Sequence, residues 1–366
     1  NIFLSGYSSL KSYDSSGKVV NLNDVERLQF DDGIVDLSLT GNSDVQVNST
    51  TSGHQLSPDV AAFSDGGFII VWASKNVDYY SVKAQLFDLN GDPSGSEFTV
   101  ASELTKDQAA PSVAVSSADS YAISYGDQYN GKIKIYNDSS FNENNEYTFE
   151  GDIKEFGVDG FIALKDSYRI TYYDSSLTDV GTYTSSYIDY GYDYIGGDRY
   201  IYFGETSSYT KLNAAIINSD GQTSIDWFTV NTAKFDSSSY PYSGSAHSYA
   251  TATGLKDGGF VVVWQLRYSE DFNGSISATV DDVDIEVSIG IDSLDISGYG
   301  IYGQRYDYEG NASGEQFLIN TYKDSSQTKP SIADLKDGGF VVVWESYGQD
   351  ASLFGIYGQR YNADGN

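Results

Sequence analysis

The chain has 366 residues, of which 21 are basic and 52 acidic, so its net charge is −31. This charge repels nucleic acid and anionic lipid, and no apolar run approaches the roughly 18 residues that span a membrane, so neither nucleic acid nor a membrane is expected as a partner. The absence of cysteine removes disulfide and thiol chemistry, and two histidines leave little scope for histidine catalysis.

Composition favours strands over helices. Tyrosine (32), phenylalanine (18) and glycine (37) are abundant. Aromatic and β-branched residues favour strands, and glycine, asparagine and aspartate favour the turns that join them. A chain of this length can bury a large core, as one all-β domain or two smaller ones.

Residues 1–40 lack the repeats found later and are expected to form a separate β element. Within them, Asn21–Leu37 reads NLNDVERLQFDDGIVDL. This segment resembles the one that closes many RTX-type, calcium-binding β-roll regions in bacterial proteins exported by type I secretion. The resemblance implies a short β-roll-like flank at 1–40, with Val25, Leu28 and Phe30 facing its small core. Because the chain begins with Asn, we expect it to be a piece of a longer protein.

Residues 41–366 are built on a repeat. LKDGGFVVVW occurs at Leu255–Trp264 and Leu335–Trp344, and FSDGGFIIVW occurs at Phe63–Trp72. Each unit reads as four strands, and Asp-Gly between the first two predicts a hairpin with a type I′ turn. FVVVW is apolar at every position, as in a strand buried on both faces, whereas the fourth strand is half apolar. Such a repeated four-stranded sheet is typical of a propeller blade.

Three weaker units fit between the first and second clear copies. They begin with PSVAVSSADSYAISY at Pro111–Tyr125, EFGVDGFIAL at Glu155–Leu164 and YIGGDRYIYF at Tyr194–Phe203. The predicted count is therefore six blades. In the fifth, about residues 270–298 are inserted between the second and third strands, and alternation within them predicts a protruding hairpin with one acidic face.

The last unit ends before its fourth strand, at YNADGN. DVQVNST at Asp44–Thr50 resembles the fourth-strand sequence EQFLINT and precedes the first unit. The N-terminal segment is therefore predicted to complete the last blade and close the ring, which leaves no unpaired edge between the chain ends. The predicted fold is an all-β, six-bladed β-propeller at 41–366, closed by an N-terminal strand and preceded by the flank.

The repeat DGGFVVVW…GIYGQRYNADG resembles one found in large secreted or surface-anchored bacterial proteins, including adhesins. The glycine-rich nonapeptides that bind calcium in RTX rolls are absent here. The resemblance therefore implies export to the bacterial cell surface or exterior without supplying a calcium site.

Two groups of oxygen-rich residues are candidate Ca²⁺ ligands, since Ca²⁺ takes six to eight oxygens. The first lies in the turns between third and fourth strands, and the second on the acidic face of the inserted hairpin. The candidates are Asp88, Asn90, Asp92, Asp282, Asp284, Glu286, Asp307 and Asn311. The alternatives are ordinary tight turns, which these residue types favour, and a solvated outer face of the hairpin.

Tyrosines cluster in the third and fourth units. Tyr187, Tyr190, Tyr192 and Tyr194 are the candidate ligand contacts, because exposed tyrosines can stack on sugar rings or bind protein. The alternative is that tyrosine replaces leucine and tryptophan in the cores of weaker blades. His247 occupies a position that is Gln55, Gln108 and Gln327 in other units, and His54 lies one residue before it, so both are interpreted as linker residues rather than catalytic bases.

The function that these features favour is a non-catalytic extracellular module for attachment or surface-layer assembly, assisted by calcium. Its partners would be a glycan or other copies of the surface protein. The alternative is a propeller glycosidase or lyase acting on extracellular polysaccharide, because 52 acidic residues allow many carboxylate pairs. The residues that line the central channel are expected to discriminate between the two.

Overall fold

The computed structural model describes the chain in segments. The described residues are 10–13, 19–22, 27–30, 33–36, 44–75, 79–104, 111–116, 119–126, 131–136, 143–149, 152–156, 160–166, 169–174, 179–184, 192–205, 212–218, 222–230, 247–267, 274–280, 283–289, 298–363 and 365. In the strands within 10–36, 143–184 and 274–289 the description covers the backbone.

All the regular structure in these segments is β. The strands, in chain order, are β1 Leu10–Tyr13, β2 Val19–Leu22, β3 Arg27–Phe30, β4 Gly33–Asp36, β5 Val45–Gln46, β6 His54–Ala62, β7 Phe68–Lys75, β8 Tyr80–Phe87, β9 Pro93–Leu104, β10 Ser112–Val115, β11 Tyr121–Tyr125, β12 Gly131–Tyr136, β13 Glu143–Phe149, β14 Asp152–Phe156, β15 Gly160–Asp166, β16 Arg169–Asp174, β17 Asp179–Thr184, β18 Tyr192–Tyr194, β19 Arg199–Glu205, β20 Leu212–Asn218, β21 Thr223–Thr229, β22 His247–Gly254, β23 Phe260–Arg267, β24 Gly274–Val280, β25 Val283–Ile289, β26 Tyr299–Tyr306, β27 Ala312–Leu318, β28 Gln327–Asp334, β29 Phe340–Tyr347 and β30 Phe354–Tyr361. Among the described residues, no helix is long and apolar enough to cross a membrane.

The chain divides into two compact units. One comprises Asn1–Ser43 and Ser269–Ser297, and the other Asp44–Tyr268 and Gly298–Asn366. The first unit contains three antiparallel hairpins, β1–β2, β3–β4 and β24–β25, and β1 contacts β25. The β24–β25 hairpin lies in sequence between the second and third strands of the fifth sheet, where the insertion is predicted.

The second unit contains six four-stranded antiparallel sheets. Their strand orders are β6-β7-β8-β9, β10-β11-β12-β13, β14-β15-β16-β17, β18-β19-β20-β21, β22-β23-β26-β27 and β28-β29-β30-β5. The first strand of each sheet contacts the first strands of its two neighbours, in the cycle β6, β10, β14, β18, β22, β28 and back to β6. This arrangement is an all-β propeller of four-stranded antiparallel blades with the first strands innermost.

The last sheet is completed from the N-terminus, as predicted. β5 pairs with β30, placing Gln46 opposite Tyr357 and Val45 opposite Gly358. The N–H of Val47 then donates to the carbonyl of Ile356 at 2.8 Å. The prediction that Asp44–Thr50 supplies the missing fourth strand is confirmed.

The core lies between neighbouring sheets, because the second strands are buried on both faces. Trp72, Trp264 and Trp344 are each 0% exposed. Each indole packs against the preceding sheet in the ring: Trp344, for example, shares a cluster with Val261 and Val263 of β23. The interpretation of FVVVW as a doubly buried strand is confirmed.

The hairpin predicted at each Asp-Gly-Gly is present, but the type I′ turn is wrong. In the fifth sheet, the N–H of Gly258 donates to the carbonyl of Leu255 at 2.9 Å, and the N–H of Leu255 donates to the carbonyl of Gly259 at 2.8 Å. A positive φ occurs at Gly258 (+89°) and not at the two residues before it. This is a type I turn followed by a left-handed glycine, the commonest three-residue hairpin loop.

Candidate functional site

The innermost strands surround a polar cavity. Its walls come from β6, β10, β18, β22 and β28. The lining residues are Asp59, Val60, Ser112, Val113, Asp193, Tyr194, Thr251, Ala252, Thr253, Ser331 and Ile332. The volume open to water is about 50 Å³. A single water needs roughly 10–15 Å³ by this measure, so the cavity has room for a few waters and not for a sugar ring.

Asp59 joins three blades within this cavity. Its Oδ2 accepts hydrogen bonds from the Ser112 hydroxyl at 2.6 Å and the Val113 N–H at 2.9 Å, both on β10. Its Oδ1 accepts from the Ser331 hydroxyl at 2.7 Å, on β28. The carboxylate therefore ties the first sheet to its neighbours on both sides, and most of its acceptor capacity is used by the fold.

Two further carboxylates join β22 to its two neighbouring first strands. The Asp193 Oδ2 accepts from the N–H of Ala252 at 2.9 Å, joining β18 to β22. The Asp334 Oδ1 accepts from the Thr253 hydroxyl at 3.3 Å, joining β28 to β22. Burial raises the pKa of Asp334 above its ordinary value. Asp334 keeps part of its surface in contact with solvent.

Tyr194 is the predicted ligand contact whose side chain the structure describes. It lines the cavity, its hydroxyl donates to the carbonyl of Gly197 at 2.9 Å, and its ring lies 5.4 Å from that of Tyr200. Tyr187 and Tyr190 lie outside the described residues, as does the side chain of Tyr192. Tyr194 is thus placed at the channel, and the other three contacts stay predictions.

The predicted calcium turns use their carboxylates internally. Asp88 Oδ1 accepts from the N–H groups of Asn90 (2.8 Å) and Asp92 (3.0 Å), and these bonds lower its pKa. Asp307 binds both the side chain (3.0 Å) and the N–H (2.8 Å) of Asn311, which lowers its pKa in the same way. Among the described residues, no three His, Cys, Asp or Glu side chains are grouped closely enough to hold a metal ion.

The acidic strand of the inserted hairpin is described by its backbone. β25 pairs with β24 in register, with Asp284 opposite Thr279 and Glu286 opposite Ser277. Asp282 and the side chains of Asp284 and Glu286 lie outside the described residues. Calcium binding at this strand stays a prediction.

The two histidines begin strands rather than lie in linkers. His54 opens β6 and packs beside Phe354, with ring centroids 6.0 Å apart. Its pKa is lowered by burial and by the charge of Lys75. The adjacent Gln55, which sequence reasoning treated as a linker residue, is 0% exposed and accepts the Trp72 indole N–H at 3.1 Å. The same position is Gln327 in the unit of Trp344, and this recurrence was the available signal for the role.

Three of the first strands each contain a backbone bulge. Ser57, Tyr249 and Lys329 hold equivalent places in three first strands, each where the pairing register shifts, and each has a positive φ of +50° to +54°. The bulge N–H of Lys329 donates to Gln265 Oε1 at 3.1 Å, and that of Ser57 donates to Glu345 Oε1 at 2.5 Å. The residues that follow Trp264 and Trp344 thus each hold the bulge of the next blade. Sequence reasoning missed this contact.

No protein-family model matches the chain, and no curated protein matches its sequence. A protein of unknown function from Dyadobacter fermentans DSM 18053 matches 87% of this chain and 98% of its own, with 10% identity and a TM-score of 0.57. A protein of unknown function from Bacteroides caccae matches 89% of this chain and 96% of its own, with 9% identity and a TM-score of 0.43. A glycosyl hydrolase from Bacteroides ovatus matches 89% of this chain and 93% of its own, with 10% identity and a TM-score of 0.41. The match to the Dyadobacter protein supports a fold like that of bacterial propeller proteins. Sequence identities this low give no basis for assigning an activity to this chain.

Proposed function

We propose that the six sheets form one closed six-bladed ring, and that this ring is a non-catalytic binding and assembly module of a bacterial surface or matrix protein. It acts outside the cell and attaches to a glycan or to other copies of the surface protein, with calcium assisting. The RTX-like flank at 1–40 belongs to the same exported protein.

The use of the channel carboxylates carries this proposal. Asp59 and Asp193 accept hydrogen bonds from neighbouring blades, and the cavity beside them holds a few waters. Carboxylates that hydrogen-bond neighbouring blades to one another favour a rigid scaffold. Because the cavity is too small for a larger ligand, such a ligand would bind at the surface.

Charge supports the role of calcium. A net charge of −31 makes copies of the chain repel one another in the absence of counterions. Divalent cations bind carboxylate oxygens and can bridge them to sugar hydroxyls or to a second acidic surface. The proposed contacts are the acidic residues Asp282, Asp284 and Glu286 and the segment Tyr187–Tyr194.

The test measures glycan binding and self-association with calcium and with a chelator. A triple variant, Asp282→Ser, Asp284→Ser and Glu286→Ser, should lose the calcium-dependent part of both. Its matched control carries Asp226→Ser, Glu309→Ser and Glu315→Ser, which remove the same charge from three exposed positions. If wild type neither binds nor associates, or does both equally in chelator, the proposal fails.

One observation favours the alternative, a polysaccharide-degrading enzyme. The raised pKa of Asp334 is the property that a general acid needs, and Asp334 accepts a hydrogen bond from Thr253, which lines the cavity. Release of reducing ends or unsaturated products from a polysaccharide by wild type, abolished in Asp334→Asn, would establish this function instead.

A further inference from the structure

The three bulge residues lie on innermost strands, each two positions before a residue that lines the cavity, which puts them toward one end of the channel, called here the entrance. Lys329 Nζ lies 3.3 Å from the hydroxyl of Ser57, so these two side chains meet from adjacent blades. Tyr249 holds the same place in β22, the neighbour of β28 on the other side. Its backbone is two residues before Thr251, which lines the cavity.

Tyr249 differs from its two equivalents in what its side chain does. Lys329 Nζ also pairs with Glu345 at 2.9 Å, so the lysine is part of the joint between blades. Tyr249 is 57% exposed, and the described residues provide its ring with no hydrogen bond or stacking partner. The phenol is therefore presented to solvent at the entrance and contributes little to the fold.

The backbone of Tyr249 makes this exposure more notable. A bulky residue at φ +54° is strained, and glycine would take this conformation without strain. An exposed aromatic residue at a strained position costs stability without burying its ring. Ser57 and Lys329 take the same φ, so the bulge belongs to the fold, and what distinguishes Tyr249 is a large exposed ring at this place.

The groups beneath Tyr249 fit the hydroxyls of a sugar. Thr251 lines the wall with its hydroxyl, and the Ser331 hydroxyl, which donates to Asp59, can still accept a hydrogen bond; the space between them holds a few waters. A sugar ring is too large to enter, but it can stack on the tyrosine face while its hydroxyls replace entrance waters. The net charge of −31 opposes an anionic sugar.

We propose that Tyr249 is the stacking platform of a binding site for a neutral sugar residue at the channel entrance. This inference rests on the proposed function and assigns the glycan-binding site of the ring. It is separate from the proposed calcium contacts Asp282, Asp284 and Glu286, which belong to the inserted segment between β23 and β26.

The experiment titrates the full chain with neutral hexose oligosaccharides and with uronate oligosaccharides of equal length. Tyr249→Gly should raise the Kd for the neutral ligand about tenfold or more, while Tyr249→Phe keeps most of the affinity because the ring remains. The melting temperature of Tyr249→Gly should not fall, since glycine relieves the strained φ.

The matched control is Tyr308→Ala, because Tyr308 is also 57% exposed but lies beside Gly258, at the other end of the first strands. It should leave the Kd unchanged. Neutral-glycan binding that survives Tyr249→Gly overturns the inference and leaves the proposed function standing, as does preferential binding of uronates. If no glycan binds and the chain still self-associates with calcium, Tyr249 is not a sugar site and assembly is the function that remains.

Discussion

At the scale of single residues, one position of the repeat sets the packing between blades. It is tryptophan in three sheets, Tyr125 in the second and Gly204 in the fourth. In the fourth sheet, Trp227 of the outer strand β21 lies over Gly204, 3.1 Å from where a Cβ would stand. This indole is 45% exposed, whereas Trp344 is 0% exposed. The degenerate blade thus has an indole from a different strand at the same place, with less burial.

This difference predicts unequal costs for two tryptophan substitutions. Trp344→Ala should lower the free energy of unfolding by about 3–5 kcal/mol, because it removes a fully buried indole and leaves a cavity. Trp227→Ala should cost much less, because nearly half of its surface is already in water. Urea unfolding of the two variants measures both, and equal costs would contradict the packing described here.

At the scale of elements, the Asp-Gly-Gly turn is determined by all three of its residues. In the last sheet, Asp337 Oδ1 accepts the N–H of Gly339 at 3.0 Å. Gly338 has φ +89°, in the left-handed region, and a Cβ on Gly339 would overlap the carbonyl oxygen of Tyr361. The first glycine is needed for its conformation and the second for its lack of a side chain.

Alanine substitutions should separate these two requirements. Gly338→Ala should cost about 1–2 kcal/mol, the price of a left-handed L-residue, because its Cβ meets nothing closer than 3.4 Å. Gly339→Ala should cost more, because β30 must move away from the turn. Chemical denaturation compares them, and a larger loss for Gly338→Ala would contradict this account.

Two carboxylates each cap the outer strand of the sheet that precedes their own in the ring. Glu97 on β9 accepts the N–H groups of Ser49 (2.9 Å) and Thr50 (3.3 Å), and Asp44 accepts those of Thr321 (2.8 Å) and Tyr322 (3.0 Å). Burial acts to raise the pKa of Glu97, but the hydrogen bonds from Ser49 and Thr50 together outweigh it, and the pKa is lowered.

The lowered pKa of Glu97 makes its contribution depend on pH. A carboxyl whose folded pKa lies below its unfolded value adds stability above the unfolded pKa and loses it as pH falls through the folded pKa. Glu97→Gln should therefore be less stable than wild type at neutral pH, and the gap should narrow in acid. Unfolding measured across pH checks this, and a gap that widens on acidification would contradict it.

At the scale of the whole molecule, the ring closes through contacts between the ends of the chain. Asn48 Oδ1 accepts the N–H of Ile356 at 2.6 Å, as Asn320 Oδ1 accepts that of Ile301 at 2.7 Å in the fifth sheet. Glu345, 3% exposed, joins the last blade to Ser57 of the first. The closing sheet therefore uses the same bonds as a sheet built from continuous chain.

Two truncations test this closure. Removing residues 1–50 deletes β5 and Asn48, and should lower the melting temperature sharply because β30 loses its outer partner and the ring its joint. Removing residues 1–43 keeps both and is the matched control. Equal melting temperatures for the two truncated chains would show that β5 does not hold the ring closed.

The sequence by itself determined the repeat architecture: the four-stranded unit, the doubly buried second strand and the N-terminal strand of the last sheet. These follow from local patterns, because burial on two faces demands a continuous apolar run and a split unit demands a partner from the other end of the chain. The tertiary structure decided the turn type, the buried role of Gln55 and the use of Asp59 between three blades. It also brought Lys329 to Ser57, because these residues are separated by a long stretch of sequence and meet only when the first and last sheets lie side by side.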